Sequence, residues 1–264
     1  MRLNGRITIY GEYLMHQDEL GLIESSRLYL TNETDNDDEV HFSYNPEFDK
    51  TLAFLNELKI QITNAIKGNL PLGYGFSSST ILSFLHLGDT DNIEFVNNID
   101  HKIHGFKPSG LDATYCFRNK GGLYGMGKWL DCKYPEQNWD CILLPKEKNM
   151  NLADVQKGIQ KRKNNFLKLI TQMNKSINRN EFPLNSLFDY SVELQSSNVY
   201  SENASRVIDY ILNKGIVAKC IGGLYDKAII LNVNNASFEV VELIKKEVNK
   251  IKSSQYLEKI QHTI

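Results

Sequence analysis

Apolar and polar residues alternate from Arg2 to Tyr10, with Leu3, Ile7 and Ile9 on one face and Asn4, Arg6 and Thr8 on the other. A period of two predicts a β-strand, and Gly11-Glu12-Tyr13-Leu14 ends it. Strand-like stretches recur at residues 20–30 and 40–44. Between them the acidic run Asn32-Glu33-Thr34-Asp35-Asn36-Asp37-Asp38-Glu39 reads as a hairpin tip. It lacks the spacing and the glycine of a calcium loop, so a solvated turn is expected. Residues 48–67 carry Leu52, Phe54, Leu55, Leu58, Ile60, Ile62 and Ile66, which predicts an amphipathic helix passing into a strand near residues 60–63. Ile93, Phe95, Val96, Ile99 and Ile103 give a second helical face over residues 91–104. Residues 114–117 and 121–126 read as a hairpin, and the polar run at 128–138 reads as a linker. Beyond it the pattern predicts a strand at 141–144, helices at 152–175, 186–197 and 203–213, strands at 217–221 and 227–232, and a helix at 236–251. Lys161-Arg162-Lys163 reads as a solvated helix face. Strands and helices mixed in this order predict an α+β chain, with one domain over residues 1–135 and a second over 136–264.

One stretch departs from simple patterning. Pro71-Leu72-Gly73-Tyr74-Gly75-Phe76-Ser77-Ser78-Ser79-Thr80 leads into the apolar run Ile81-Leu82-Ser83-Phe84-Leu85-His86-Leu87. Glycines let a backbone approach a ligand closely, and the serines fall where a helix begins. Unpaired N–H groups and the helix dipole make such a place electropositive, and phosphate is its usual occupant. An ordinary helix cap is the plainer alternative. The stretch is neither a P-loop, since no Lys follows the second glycine, nor G-x-G-x-x-G, since Ser78 holds the third glycine position.

Composition narrows the function classes. The chain has 264 residues, enough for one large or two small domains, with 41% hydrophobic and 23% charged residues and a net charge of −2. That charge argues against a general nucleic-acid binder, and no apolar run approaches the ~20 residues of a membrane span. The N-terminus lacks the apolar core of a signal peptide. Cys116, Cys132, Cys141 and Cys220 are widely spaced without a C-x-x-C pair and read as reduced thiols. A cytoplasmic protein is expected, with no nucleic-acid or membrane partner.

Three separated segments resemble one family. Pro71 to Thr80 is similar to the P-x-x-x-G-[LF]-[GS]-S-S-[AST] loop of the GHMP kinases, with Ser77 in place of the commonest Gly and Thr80 in place of Ala. Gly5-Arg6-(x)4-Gly11-Glu12-Tyr13 resembles that family's P-G-[KR]-(x)4-G-E-[HY] motif, with Asn4 where Pro is usual. His104-Gly105, followed by Pro108-Ser109-Gly110-Leu111-Asp112 and Gly121-Gly122, resembles the H-G-x-P-S-G-[IV]-D…G-G region of mevalonate kinases, with one residue more. The likeness is good over residues 4–126 and loose beyond. The glycine-rich third motif of the family survives at 222–227 only as Gly222-Gly223.

The resemblance implies a two-domain α+β GHMP kinase fold, ribosomal-protein-like at the N-terminus and ferredoxin-like at the C-terminus. It implies phosphoryl transfer from ATP, with Mg²⁺, to the hydroxyl of a small-molecule acceptor such as mevalonate, as in isoprenoid biosynthesis. By the same resemblance Asp112 accepts or orients the acceptor's proton and Arg6 stabilises transition-state charge. Pro71, Gly73, Gly75, Phe76, Ser77, Ser78, Ser79 and Thr80 cradle the nucleotide. Ser79 and Asp100 hold the metal, Asp100 matching a glutamate longer by one CH₂. Glu12, Tyr13, His104 and Ser109 face the acceptor. Plainer readings stand beside these: a turn Asp bonding its own backbone at 112, a surface cation at Arg6 and a solvated helix carboxylate at Asp100. His101 and His104, spaced H-x-x-H, read as helix packing in the absence of further ligands at metal spacing. Arg6 and Tyr13 leave a sugar or phosphomevalonate kinase as the alternative. The eroded segment at 222–227 leaves a catalytically inactive ligand sensor as another. A homodimer is left open.

Overall fold

The computed structural model describes residues 1–15, 19–32, 46–60, 66–88, 92–104, 108–144, 152–221, 228–234 and 236–261. The acidic tip at 33–39, the strand expected at 40–44, most of the passage at 60–63 and the glycine segment at 222–227 lie outside these residues. The chain divides into two compact units, Met1–Cys132 and Lys133–Ile264.

In the first unit the alternating segment forms β1 (Arg2–Tyr10), paired antiparallel with β2 (Gly21–Thr31). β2 also pairs with β3 (Lys67–Gly68) and β4 (Gly122–Gly125), and β4 with β5 (Lys128–Leu130). The sheet path is β1-β2-β4-β5, with β3 beside β2. The helices of this unit are α1 (Pro46–Glu57), α2 (Ser78–Leu87), α3 (Ile93–His104) and α4 (Leu111–Arg118). α2 packs on β1 and on all three other helices. Ser78 through His86 are accordingly buried, the polar Ser83 and His86 with the apolar residues around them.

Two features of β1 matter for function. Alternation predicts a half-buried strand, but every residue from Gly5 to Tyr10 is buried. The polar face of Arg6 and Thr8 is therefore covered, and covered polar groups need partners. Moreover, β1 lies at the end of the sheet path, and its outer edge is met by other parts of the unit. Asn4 N donates to Asn119 Oδ1 (3.2 Å), Asn119 Nδ2 donates to Arg2 O (3.0 Å), and Arg6 N donates to Phe76 O (3.1 Å). A proline at position 4 would have no N–H to give to Asn119 Oδ1.

The structure corrects the expected hairpin over 114–126. Thr114–Phe117 belong to α4, and the hairpin is instead β4 with β5, so Lys128–Leu130 are strand rather than linker. Gly110, at φ 78, supplies the left-handed turn from which α4 starts.

The second unit forms a three-stranded antiparallel sheet of β6 (Trp139–Leu143), β7 (Ala218–Ile221) and β8 (Ala228–Asn232), in the order β6-β8-β7. Its helices are α5 (Leu152–Lys161), α6 (Lys163–Ile177), α7 (Leu184–Ser196), α8 (Glu202–Leu212) and α9 (Phe238–Gln261). The helix expected over 152–175 breaks at Arg162, whose guanidinium ion-pairs with Glu193 at 2.9 Å. Phe166 of α6 and Tyr190 of α7 meet edge to face at 5.4 Å in the core of this unit. α9 runs ten residues past its expected end at 251. None of the described helices is long and apolar enough to cross a membrane. None of the four cysteines forms a disulfide, and Cys116 and Cys220 are buried.

Candidate active site

The loop before α2 takes its shape from three left-handed residues, Gly73 (φ 74), Gly75 (φ 87) and Ser77 (φ 64). Gly5 lets it lie flush on β1, for a Cβ there would come 2.4 Å from Leu70 Cδ1 and 3.2 Å from Phe76 Cβ. Phe76 is fully buried and its carbonyl is taken by Arg6 N, so its side chain anchors the loop and is not available to a nucleotide. Ser78 Oγ accepts from Gly73 N at 3.0 Å, which ties the loop to the helix start. No side chain caps α2 and no acidic residue lies in its first turn. An uncapped helix start under a glycine-shaped loop is suited to an anion.

Across this loop, Arg6 of β1 meets Asp112 of α4. Arg6 Nε lies 2.6 Å from Asp112 Oδ1 and 2.7 Å from Ser77 Oγ, and Ser77 Oγ in turn donates to Asp112 Oδ1. Arg6 Nη1 donates to Thr8 Oγ1, which pins the other side of the guanidinium. The Arg6 side chain is 11% exposed and that of Asp112 34%, so the carboxylate is the open member of the pair. Asp112 Oδ2 makes no hydrogen bond to a described residue. The plain reading of Asp112 as a turn residue bonding its own backbone is thereby set aside: it sits in the first turn of α4, bonded to two side chains remote in sequence.

A second carboxylate, Asp100 of α3, is almost fully buried. Thr80 Oγ1 donates to its Oδ2 at 2.5 Å, while Oδ1 is buried without a partner among the described residues. Burial first, and the negative charge of Asp112 second, raise its pKa to about 7. The same two carboxylates, after burial, raise the thiol of Cys116, so both lie near the start of α4. Asp100 is thus no solvated helix carboxylate. A buried oxygen without a donor, desolvated and close to a second carboxylate, fits a divalent cation with few protein ligands. No cluster of three or more His, Cys, Asp or Glu that could hold a metal occurs among the described residues.

The other expected site residues divide. Ser79 is buried in the first turn of α2, between Ser78 and Thr80. Glu12 and Tyr13 are half-buried in the turn after β1, where Leu14 N and Met15 N donate to Gly11 O; neither bonds Arg6 or Asp112. Ser109 is exposed and its Oγ accepts from Leu111 N at 3.2 Å, shaping the turn into α4. Pro71 is half-buried at the loop's entry. His104 is the last residue of α3, and its side chain lies outside the described residues, while His101 is exposed. Sequence reasoning missed Thr8 and Tyr115. Tyr115 OH lies 3.2 Å from Gly5 O and donates to Ser25 Oγ at 2.9 Å, fastening α4 to β1 and β2. Its position three residues after Asp112, on one helix face, would have been the signal. Asn97 Oδ1, one turn before Asp100, is likewise buried without a described partner.

A glycine-shaped loop at a bare helix start, an Arg–Asp pair and a buried second carboxylate define a class of site suited to phosphate chemistry. No family model matches the chain, and no curated protein matches its sequence. Solved structures do resemble it in fold. Mevalonate kinase of Methanococcus jannaschii superposes with a TM-score of 0.68 at 15% identity, over 95% of this chain and 94% of that one. L. major mevalonate kinase in complex with R-mevalonate gives 0.63 at 16% identity, over 94% and 90%. Streptococcus pneumoniae phosphomevalonate kinase, in complex with phosphomevalonate and AMPPNP, gives 0.57 at 13% identity, over 96% of each chain. The chain has the fold of these mevalonate and phosphomevalonate kinases.

Proposed function

We propose that the protein is an ATP-dependent kinase that transfers the γ-phosphoryl group to a hydroxyl of a small-molecule acceptor, mevalonate or a related metabolite. The observation that carries this reading is the Arg6–Asp112 pair, held at 2.6 Å across 106 residues of sequence beside the bare start of α2. Phosphoryl transfer demands positioning and charge neutralisation more than covalent chemistry. Asp112 Oδ2 takes up the acceptor's hydroxyl proton as its oxygen bonds to phosphorus and the bond to ADP breaks. Arg6 offsets the negative charge on the transferring group. The loop and the first turn of α2 hold the phosphates, with Asp100 and Ser79 as the residues that would hold Mg²⁺. That ion would neutralise phosphate charge. The first unit serves as the ribosomal-protein-like half of the fold and the second as the ferredoxin-like half. AMPPNP in the pneumococcal structure supports ATP as the donor, and R-mevalonate in the L. major structure supports a small hydroxy acid as acceptor.

A phosphorylated or sugar acceptor is the second reading, favoured by Tyr13 in the Gly-Glu-Tyr turn and by Arg6. The test is ADP release with Mg·ATP across mevalonate, phosphomevalonate, homoserine, galactose and other sugars, with Asp112→Asn as the blank. Acceptor-dependent ADP that falls by about two to four orders of magnitude in the blank, as for loss of a positioned base, is expected. Binding of Mg·ATP with no turnover of any acceptor would favour a ligand sensor instead.

A further inference from the structure

Within the loop, Gly73 and Gly75 adopt positive φ without cost, but Ser77 does so with a side chain. A residue kept in this region where glycine would fit freely suggests that its side chain is needed. The expected uses are absent: Ser77 makes no side-chain cap to α2, and its hydroxyl is turned away from the helix start toward Asp112. There the chemistry fixes the direction of the bonds. An arginine can only donate and an ionised carboxylate can only accept. The single hydroxyl proton therefore goes to Asp112 Oδ1, and a lone pair takes Arg6 Nε.

We infer that Ser77 is a positioning residue for Asp112, acting within the kinase reading above and not as a nucleotide contact. By occupying Oδ1 together with Arg6, it turns Oδ2 outward as the oxygen that receives the acceptor's proton. Arg6 alone gives one shared N–H to this oxygen; with Ser77 the carboxylate is held by two donors and its rotation about the Cβ–Cγ bond is restrained. The strained backbone at Ser77 places that hydroxyl between β1 and the start of α4, where an αR residue at the head of α2 would point elsewhere.

The test compares Ser77→Gly and Ser77→Ala with the wild-type protein by steady-state kinetics and thermal melts. Glycine removes the hydroxyl and the strain together; alanine removes the hydroxyl and keeps the strain. Both variants are expected to lose about 10- to 100-fold in kcat, the effect of a lost hydrogen bond to a charged group, with the KM for Mg·ATP within about twofold. Ser77→Gly is expected to melt at or above the wild-type temperature, so the loss of turnover cannot be a loss of fold. Unchanged kcat in Ser77→Gly, a fall confined to Ser77→Ala, or a rise in the KM for Mg·ATP in place of a fall in kcat would each overturn the positioning role alone. Absence of acceptor-dependent ADP from the wild-type protein would overturn it together with the kinase reading.

Discussion

At the scale of single residues, the site is built from hydroxyls placed on carboxylates. Ser77 and Thr80 stand where the related loops usually carry glycine and alanine, and each donates to a carboxylate, Asp112 or Asp100. Neither bond was legible in the sequence, since the partners lie 35 and 20 residues away and a serine-rich helix start looks alike whichever way its hydroxyls turn. Asp100 has a consequence that can be measured. Its pKa rises from 3.8 to about 7 in the folded chain, through burial first and the charge of Asp112 second. Between these values the folded chain keeps a proton that the unfolded chain releases, so the contribution of Asp100 to stability is full at low pH and is lost as pH rises toward 7. Asp100→Asn, which cannot ionise, should lack this component. Melts of the ligand-free proteins between pH about 4 and 8 should show the wild type losing stability relative to the variant as pH rises. A constant difference would mean that Asp100 is ionised throughout.

At the scale of elements, periodicity revealed β1, β2, α2 and α3, because each buries one or both faces in a regular rhythm. It failed at α4. Thr114-Tyr115-Cys116-Phe117 is β-branched and aromatic, the composition of a strand, and eight residues are too few to display a helical stripe. Two tertiary facts override the local preference: Gly110 starts the helix from a left-handed turn, and Tyr115 reaches Gly5 O and Ser25 Oγ from a buried position. Burial raises the Tyr115 hydroxyl well above its ordinary range, so it remains a donor at any working pH. Tyr115→Phe removes the hydroxyl that donates to Ser25 Oγ at nearly the same volume and should cost about 1–2 kcal/mol in urea unfolding, with helix content by circular dichroism unchanged. No loss of stability would mean that α4 is held by packing alone.

At the scale of the whole molecule, the mixed order of strands and helices made an α+β chain legible, and the likeness in fold to mevalonate kinases extends over 95% of the sequence at 15% identity. The motifs that suggested it lie before residue 127, and the second unit carries almost none, because core positions there accept many apolar residues of suitable volume. Ligand linkage tests the binding function across the entire chain. Anything bound by the folded form alone stabilises it, by about 2.7 kcal/mol at a hundred times its dissociation constant. Mg·ATP should therefore raise the melting temperature of the wild type and of Asp112→Asn alike, and raise it less in Ser79→Ala. Equal shifts in all three would remove Ser79 from the metal site.

The outer edge of β1 joins these scales. An exposed strand edge is a template on which another chain can add. Over Arg2–Arg6 that template is already used: by the amide of Asn119, which stands in for a neighbouring peptide group, and by the carbonyl of Phe76. The same bonds that bring the loop to Arg6 keep β1 from recruiting a foreign strand. Loss of the loop's hold would free Arg6 N on that edge while Asn119 still covers Asn4 N and Arg2 O, so a loosened loop would disturb the Arg6 pair and open the strand edge at one and the same residue.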